Sequence, residues 1–490
     1  ARSGRGAGKM GAMTDLTPMR IGADLVTTDE VSVVSSPYDG HEVGRVPAGT
    51  EAHLDAAVAA AVARRDGAPL PASERAAVLD RAAVRLGERR EEFAQRIAEE
   101  AAKPIRTARV EIDRACDTFR FSAAVARTLT GETVPMDAST AGGHKLGIVL
   151  RVPIGVVAAI SPFNFPVNLV VHKIGPAIAA GCPVVLKPAS ATPLSSLALA
   201  QMLVEECGLP AGWLNVVTCK GSVANHLVEH PDVAMITFTG SPPVGWGIRG
   251  RVPHKRVGLE LGNNAPVIVE PSADWEAAAD KITVAGTSFA GQSCISVQRV
   301  YVHRSIAEGF VARLGDAFGR LVVGDPLDET TDVSALIDHG ETERVKGWID
   351  EAIGDGARLV VGGTVGGDGV LVPTVLADVT PDMEVCRTEV FGPLVDVQVY
   401  DDVDEALRLA NDTRYGLQAG IFTAELDVAL LAARTLDFGG VTVNEVPTWR
   451  ADQMPYGGVR DSGNTREGPA YAARNMTEER LVVIHSPSLP

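Results

Sequence analysis

A chain of 490 residues, 46% hydrophobic and 22% charged, has apolar material for a large core and exceeds the usual single domain, so two or three domains are expected. A formal net charge of −17 repels a polyanion at long range and excludes non-specific nucleic-acid binding. No apolar run reaches the roughly 18–20 residues that a membrane helix needs. The N-terminal segment also lacks the apolar core of a secretion signal, so no membrane association and a cytoplasmic location are expected.

Residues 1–18 are Gly-rich and basic without a periodic apolar face; they predict a disordered arm or expression remnant, with Met13 or Met19 as natural starts. From Glu51 to Ala126 apolar residues recur at helical spacing among Ala, Leu, Arg and Glu, which predicts amphipathic packing helices. GIVLRVPIGVVAAISP then reads as two short strands, the second buried, and HKIGPAIAAGCPVVLKPAS as helix then strand. LSSLALAQMLVEECGLPAG is a helix with a glycine stop, and LNVVT and AMITFT are strands. Such alternation produces a parallel, doubly wound α/β sheet with a nucleotide site at its strand ends. A second alternation runs from NNAPVIVEP to GGVTVNE and predicts a second α/β domain. The tail MTEERLVVIHS reads as an isolated strand that needs a partner sheet, another subunit being one source.

Six cysteines are scattered with no CxxC pair and no His cluster at metal spacing, which argues against disulfides and a metal site. Most lie in apolar or helical surroundings and read as small buried hydrophobes. Cys294, in GQSCISVQR, differs: it follows a turn and precedes an apolar stretch, where backbone N–H groups can stabilise a thiolate. Glu260 ends the apolar run KRVGLEL before a Gly-Asn-Asn turn, a setting that raises a carboxyl pKa toward that of a general base; a surface glutamate at a strand end is the plain alternative. Asn164 is held between Pro162 and Pro166 in SPFNFPVN, a rigid loop that can present one amide to an oxyanion, or only a turn. Lys187 stands at the end of the strand VVLK, where nucleotides bind in open α/β sheets. Gly240 and Ser241 form a turn after ITFT whose N–H groups can meet a pyrophosphate, although no GxGxxG fingerprint is present.

These segments, together with TEVFGP at 388–393, resemble the NAD(P)-dependent aldehyde dehydrogenase superfamily in content and order, over almost the whole chain. The resemblance implies a Rossmann-like cofactor domain (19–131 and 151–259), a catalytic α/β domain (260–445) and a β oligomerisation arm (132–150 and 470–490), hence a homodimer or homotetramer. It implies that Cys294 attacks an aldehyde, that Asn164 and the Cys294 N–H hold the oxyanion, and that Glu260 activates the water that hydrolyses the thioester. Glu389 then binds the nicotinamide ribose, Phe391 packs near the nicotinamide and Lys187 binds the adenosine ribose. Ser190 stands where many NAD-specific relatives have glutamate, and Lys220 lies near the adenosine end, so NADP is favoured over NAD. Asn263 replaces the usual glycine of this motif, tolerable if that glycine had positive φ.

The substrate pocket is expected around Phe165, Asn168, Leu169, His172, Ser293, Ile295 and Arg450. Its segments are most similar to the lactaldehyde, glyceraldehyde-3-phosphate and phosphonoacetaldehyde dehydrogenase group, which implies a small polar, anionic aldehyde held by Arg120 and Arg450. Transfer to coenzyme A and a catalytically silent relative are the alternatives; the intact Glu260 and Cys294 favour hydrolysis.

Overall fold

The computed structural model describes residues 16–488. One seven-stranded sheet runs in the order Arg256–Glu260, Val233–Thr239, Val156–Ile160, Val184–Lys187, Leu214–Val216, Met19–Ile21 and Asp24–Val26. The first five are parallel and the last two antiparallel additions. Val156–Ile160 and Val184–Lys187 are buried along their whole length. Helices cover both faces of this sheet, so its strands read as continuous apolar runs and not as alternation. Helices 72–88, 105–128, 168–180 and 194–205 form the core on one side, and Glu51–Asp66, Gly221–Glu229 and Pro242–Arg251 on the other.

The second sheet runs Arg358–Val361, Thr374–Ala377, Leu394–Tyr400, Val297–His303, Ala265–Val269, Gln418–Phe422 and Gly440–Val443, parallel except for its first strand. The chain therefore has the α/β class expected, with two parallel-sheet units. It passes from one sheet to the other in four residues, between Glu260 and Ala265. The carboxyl ends of the first sheet and the loops entering the second face one cleft, the place where parallel sheets bind ligands.

One sequence expectation is answered and another is corrected. The terminal strand Thr477–His485 pairs antiparallel with Lys145–Pro153 of its own chain along its full length, and Glu132–Val134 adds on the far side. The partner is the nine-residue strand that directly precedes the buried strand Val156–Ile160. The predicted N-terminal arm falls outside the described residues for 1–15, but its last three residues belong to the fold: Leu16 bridges Arg45, and Thr17 N–H donates to the Arg45 carbonyl at 2.9 Å.

Candidate active site

A cavity of about 670 Å³ runs along the carboxyl ends of the first sheet to the second. Lys187, Ser190, Gly240, Ser241, Glu389 and Phe391 line it, and Asn164, Glu260 and Cys294 close one end. Most of the residues singled out from the sequence are therefore brought to one cleft from six separate segments.

The nucleophile loop is held in a constrained conformation. Phe289, Ala290 and Gly291 have φ of 50°, 52° and 71°, a left-handed run that bulky L-residues avoid unless their surroundings enforce it. The enforcement is backbone packing: a Cβ at Gly291 would stand 2.0 Å from the Gly392 carbonyl oxygen, so the Phe391–Gly392 turn presses directly on this loop. Phe391 itself has φ of 50°, and its ring meets Phe163 edge to face at 5.9 Å. Gln292 ties the loop down further: its carbonyl accepts from Asn164 Nδ2 at 2.9 Å and its Oε1 from Ile337 N–H at 2.9 Å. One Asn164 proton is thus used to fix the amide of a residue that lines the cavity, while Asn164 Oδ1 is buried without a partner among the described residues.

Of the six thiols only Cys294 is partly exposed; the other five are buried, and all six are unpaired. Burial pushes the Cys294 thiol up to about 12, against a hydrogen bond with Tyr456 and with the Glu389 charge adding to the rise. Glu260 closes the strand Arg256–Glu260 and is 4% exposed, yet neither carboxylate oxygen has a hydrogen-bond partner among the described residues. Burial, and next the charge of Glu467, raise it well above the ordinary carboxyl value, opposed by Arg450, Lys173 and Arg466. Space for this carboxylate comes from Gly457, where a Cβ would lie 2.9 Å from Glu260 Oε1.

Behind Glu260 lies a charged cluster, of which the sequence reading named Arg450 but missed Glu467 and Lys173. Glu467 is buried, 3.0 Å from Arg450 Nη2 and 3.8 Å from Lys173 Nζ, and Lys173 donates to Thr239 Oγ1 at 2.6 Å. Although burial opposes it, Arg450, His172 and Lys173 hold Glu467 below its usual pKa, so it stays ionised and keeps Glu260 raised. Asp452 gathers the substrate-side residues: His172 Nε2 lies 3.0 Å away, Asn168 Nδ2 3.3 Å and Arg114 Nη2 2.8 Å. Against its burial, His172 and Arg114 hold Asp452 well below the carboxylate range, while burial and next Arg450 push His172 below its ordinary value. Arg450 also stacks over the Tyr456 ring at 3.9 Å. Ser293 is half-buried beside Cys294 and is used in a turn, its carbonyl accepting from Ser296 N–H.

Arg120 is a correction. It lies exposed on the helix Ile105–Thr128 and pairs with Asp117, away from the cleft. Arg114, six residues earlier and so about 120° away around the helix, is the arginine that turns inward. Lys220 is 75% exposed and 3.7 Å from Glu30, over a second cavity that shares Ala189 and Ser190 with the first. Asn263 has no positive φ; it is useful in another way, donating its backbone N–H to Glu389 Oε1 at 2.9 Å and its side chain to the Gln418 carbonyl. Burial pushes Glu389 up to about 7, with the Asn263 N–H and Arg344 opposing.

The cleft fits a dinucleotide. Lys187 is buried with only the Ser190 hydroxyl at 3.4 Å, leaving its amine for ribose hydroxyls. Ser241 stands at the N-cap of the helix Pro242–Arg251 with its hydroxyl making no cap bond; the helix's N-terminal dipole suits a pyrophosphate, although Pro242 and Pro243 bring no N–H to it.

The model of the aldehyde dehydrogenase family matches residues 26–482. A 3-sulfolactaldehyde dehydrogenase of Priestia megaterium is 45% identical over 479 residues, covering 96% of this chain and all of the relative. Aldehyde dehydrogenase 21 of Physcomitrella patens, solved with the product succinate, is 37% identical with a TM-score of 0.94, covering 97% of this chain and all of that one. An NADP-dependent glyceraldehyde-3-phosphate dehydrogenase of Bacillus halodurans, complexed with NADP, is also 37% identical, with a TM-score of 0.93 over 96% of this chain and all of that one. Fold, cleft and full-length similarity agree: this chain belongs to the aldehyde dehydrogenase family and is an NAD(P)-dependent aldehyde dehydrogenase.

Proposed function

We propose that this enzyme oxidises a small aldehyde carrying an anionic group to the free carboxylic acid, with Cys294 as nucleophile, and that it uses NADP in preference to NAD. The Asn164 amide and the Cys294 backbone N–H hold the oxyanion when Cys294 Sγ bonds to the carbonyl carbon. A nicotinamide held in the cleft supplies the hydride acceptor. Lys187, Gly240, Ser241, Glu389 and Phe391 bind and orient that cofactor, and Glu260 takes a proton from the water that attacks the thioester. The unpartnered, buried Glu260 carboxylate carries the hydrolytic reading, because no structural role accounts for a desolvated acid left without a bond. Transfer to coenzyme A would not need it.

For the substrate, support comes from Arg450, whose Nε is buried without a partner beside Tyr456, from His172 and Asn168 around it, and from the sulfonated aldehyde named for the 45% identical relative. Ser190 favours NADP because a glutamate there would repel a 2′-phosphate, and Lys220 borders the cavity such a phosphate would enter. We take 19–131 with 151–259 as the dinucleotide-binding unit, 260–445 as the catalytic unit, and 132–150 with 470–490 as the arm of a homodimer or homotetramer. The ribbon's exposed Leu146, Leu150, Leu481 and Val483 support such an arm. Six free thiols suit the reducing cytoplasm.

A panel of 3-sulfolactaldehyde, succinic semialdehyde, lactaldehyde and propanal, each run with NADP and NAD, tests the reading. Anionic aldehydes should exceed the neutral ones in kcat/KM by roughly 10- to 100-fold, the worth of one charge-assisted hydrogen bond, and the product should be free acid. Equal rates for charged and neutral aldehydes would remove the anionic assignment. Asn164→Ala should lower kcat by roughly 10²–10³-fold, or about 2.7–4 kcal/mol, in the same assay.

A further inference from the structure

We infer that Tyr456 is a positioning residue for the nucleophile: its phenolic hydroxyl donates a hydrogen bond to Cys294 Sγ and holds that sulfur ready as the attacking anion. The inference rests on Cys294 being the nucleophile. The hydroxyl oxygen is 2.9 Å from Sγ. The ring is 3% exposed and packs with Ile295 and Leu417, so it has no room to swing away. Its backbone is fixed as well. The Tyr456 carbonyl accepts from Glu467 N–H at 2.6 Å, and the Tyr456 N–H donates to the Met454 carbonyl at 2.8 Å.

Chemistry gives the contact its direction. A thiol is a weak donor and a thiolate a strong acceptor, so the bond from a phenol gains strength as the sulfur loses its proton. The phenol keeps its own proton throughout, because burial and the neighbouring sulfur raise it well above its ordinary value. The Arg450 guanidinium, 3.9 Å above the ring centroid, draws electron density from the phenol and makes it a better donor. The groups facing the sulfur otherwise oppose the anion. Burial is the largest, and Glu389 and Glu467 add to it; only Tyr456 and Arg450 act the other way. Glu260, raised by burial and by Glu467, and the nearby Lys173 complete the charged surroundings. Tyr456 is therefore a neutral side chain that favours the thiolate without bringing a charge into the cleft. A cation in its place would also bind the carboxylate product and the ionised Glu260.

Tyr456→Phe keeps the ring, its packing and the Arg450 stacking and removes only the donor. Losing a hydrogen bond to a charged acceptor should raise the Cys294 pKa by about one to two units. The less acidic thiolate is intrinsically more nucleophilic, which returns part of that loss. Iodoacetamide labelling of Cys294 at fixed pH, followed by peptide mass and with Cys294→Ser as background, should therefore slow by about 3- to 10-fold. The labelling-against-pH curve should move to higher pH, while NADP affinity and thermal midpoint stay at wild-type values. Labelling within twofold of wild type with an unmoved pH curve would overturn the inference. A shifted curve accompanied by a fallen midpoint or weakened NADP binding would also overturn it, since packing would then be the cause. The readout needs no turnover, so failure of the Cys294 assignment shows separately, as full aldehyde oxidation by Cys294→Ser.

Discussion

Glu260→Gln should release about one equivalent of reduced nicotinamide per active site in its first turnover and then slow by roughly 10²–10⁴-fold, the usual contribution of a general base. Rapid-mixing absorbance reads both phases, and a steady state equal to wild type would sink the assignment. The expectation follows from two bare oxygens: the carboxylate has no hydrogen bond to lose, so the change touches only its proton-accepting capacity. The sign of the pH effect follows from the same burial. Glu260 works only when ionised, and its pKa is raised, so the acidic limb of thioester release should lie above the ordinary carboxylate range. Stability moves oppositely. The unfolded chain releases this proton near the ordinary value and the folded chain only at higher pH, so between these values the unfolded state binds fewer protons and stability falls as pH rises. Glu260→Gln should therefore raise the thermal midpoint, and more so at pH 8 than at pH 5. The wild-type active site is destabilised by the group that makes it turn over.

Lys103→Met should cost about 3–5 kcal/mol in denaturant unfolding, because it strands a buried carboxylate. Lys103 and Glu111 are both fully buried and bonded to each other. Lys103 Nζ also donates to the Asn164 carbonyl at 2.5 Å and sits 3.8 Å and 4.5 Å from the centroids of the Phe165 and Phe289 rings. Glu111 accepts from the N–H groups of Val167 and Asn168 at 2.9 Å and 3.1 Å. One ion pair thus clamps the middle and the C-terminal end of the loop bearing Asn164 and touches the left-handed run ahead of Cys294. Pairing the change with Glu111→Gln removes the stranded charge while an amide oxygen still serves the two N–H groups, and should restore most of the lost stability. A single variant as stable as wild type would contradict this account.

The alternation of buried strands and amphipathic helices was legible because a sheet covered on both faces writes unbroken apolar runs into the chain. Lys187, Asn164, Glu260 and Gly240 were legible for a related reason: each ends such a strand or opens the turn after it, and in parallel sheets those positions face the ligand. Glu467, Lys173 and Tyr456 were not. Lys173 lies inside the helix Asn168–Ala180, and Glu467 and Tyr456 follow Arg450 in a segment of loops; nothing local distinguishes a lysine or glutamate that will be buried from one that will be solvated. A cue existed in the apolar setting of Lys173, a lone cation in a helix buried on every side. Arg120 shows the converse, since an arginine and a helix face could not be matched until the helix was placed against its neighbours. The terminal strand announced its need for a partner, but pairing across the whole chain leaves no trace in either segment alone.

That pairing has a consequence for the birth of the enzyme. Arg151 and Glu479, joined across the ribbon, stand 328 positions apart, and Arg450, Tyr456 and Glu467 all come from the same late stretch. The thiol leaves the ribosome long before the groups that surround it, and contacts of such long range form last, after the entropy of closing the loop has been met. A shortened product that ends between Cys294 and Arg450 carries the thiol without Tyr456, Arg450 or Glu467. The order of synthesis thus makes completion of the polypeptide the final step in arming its nucleophile.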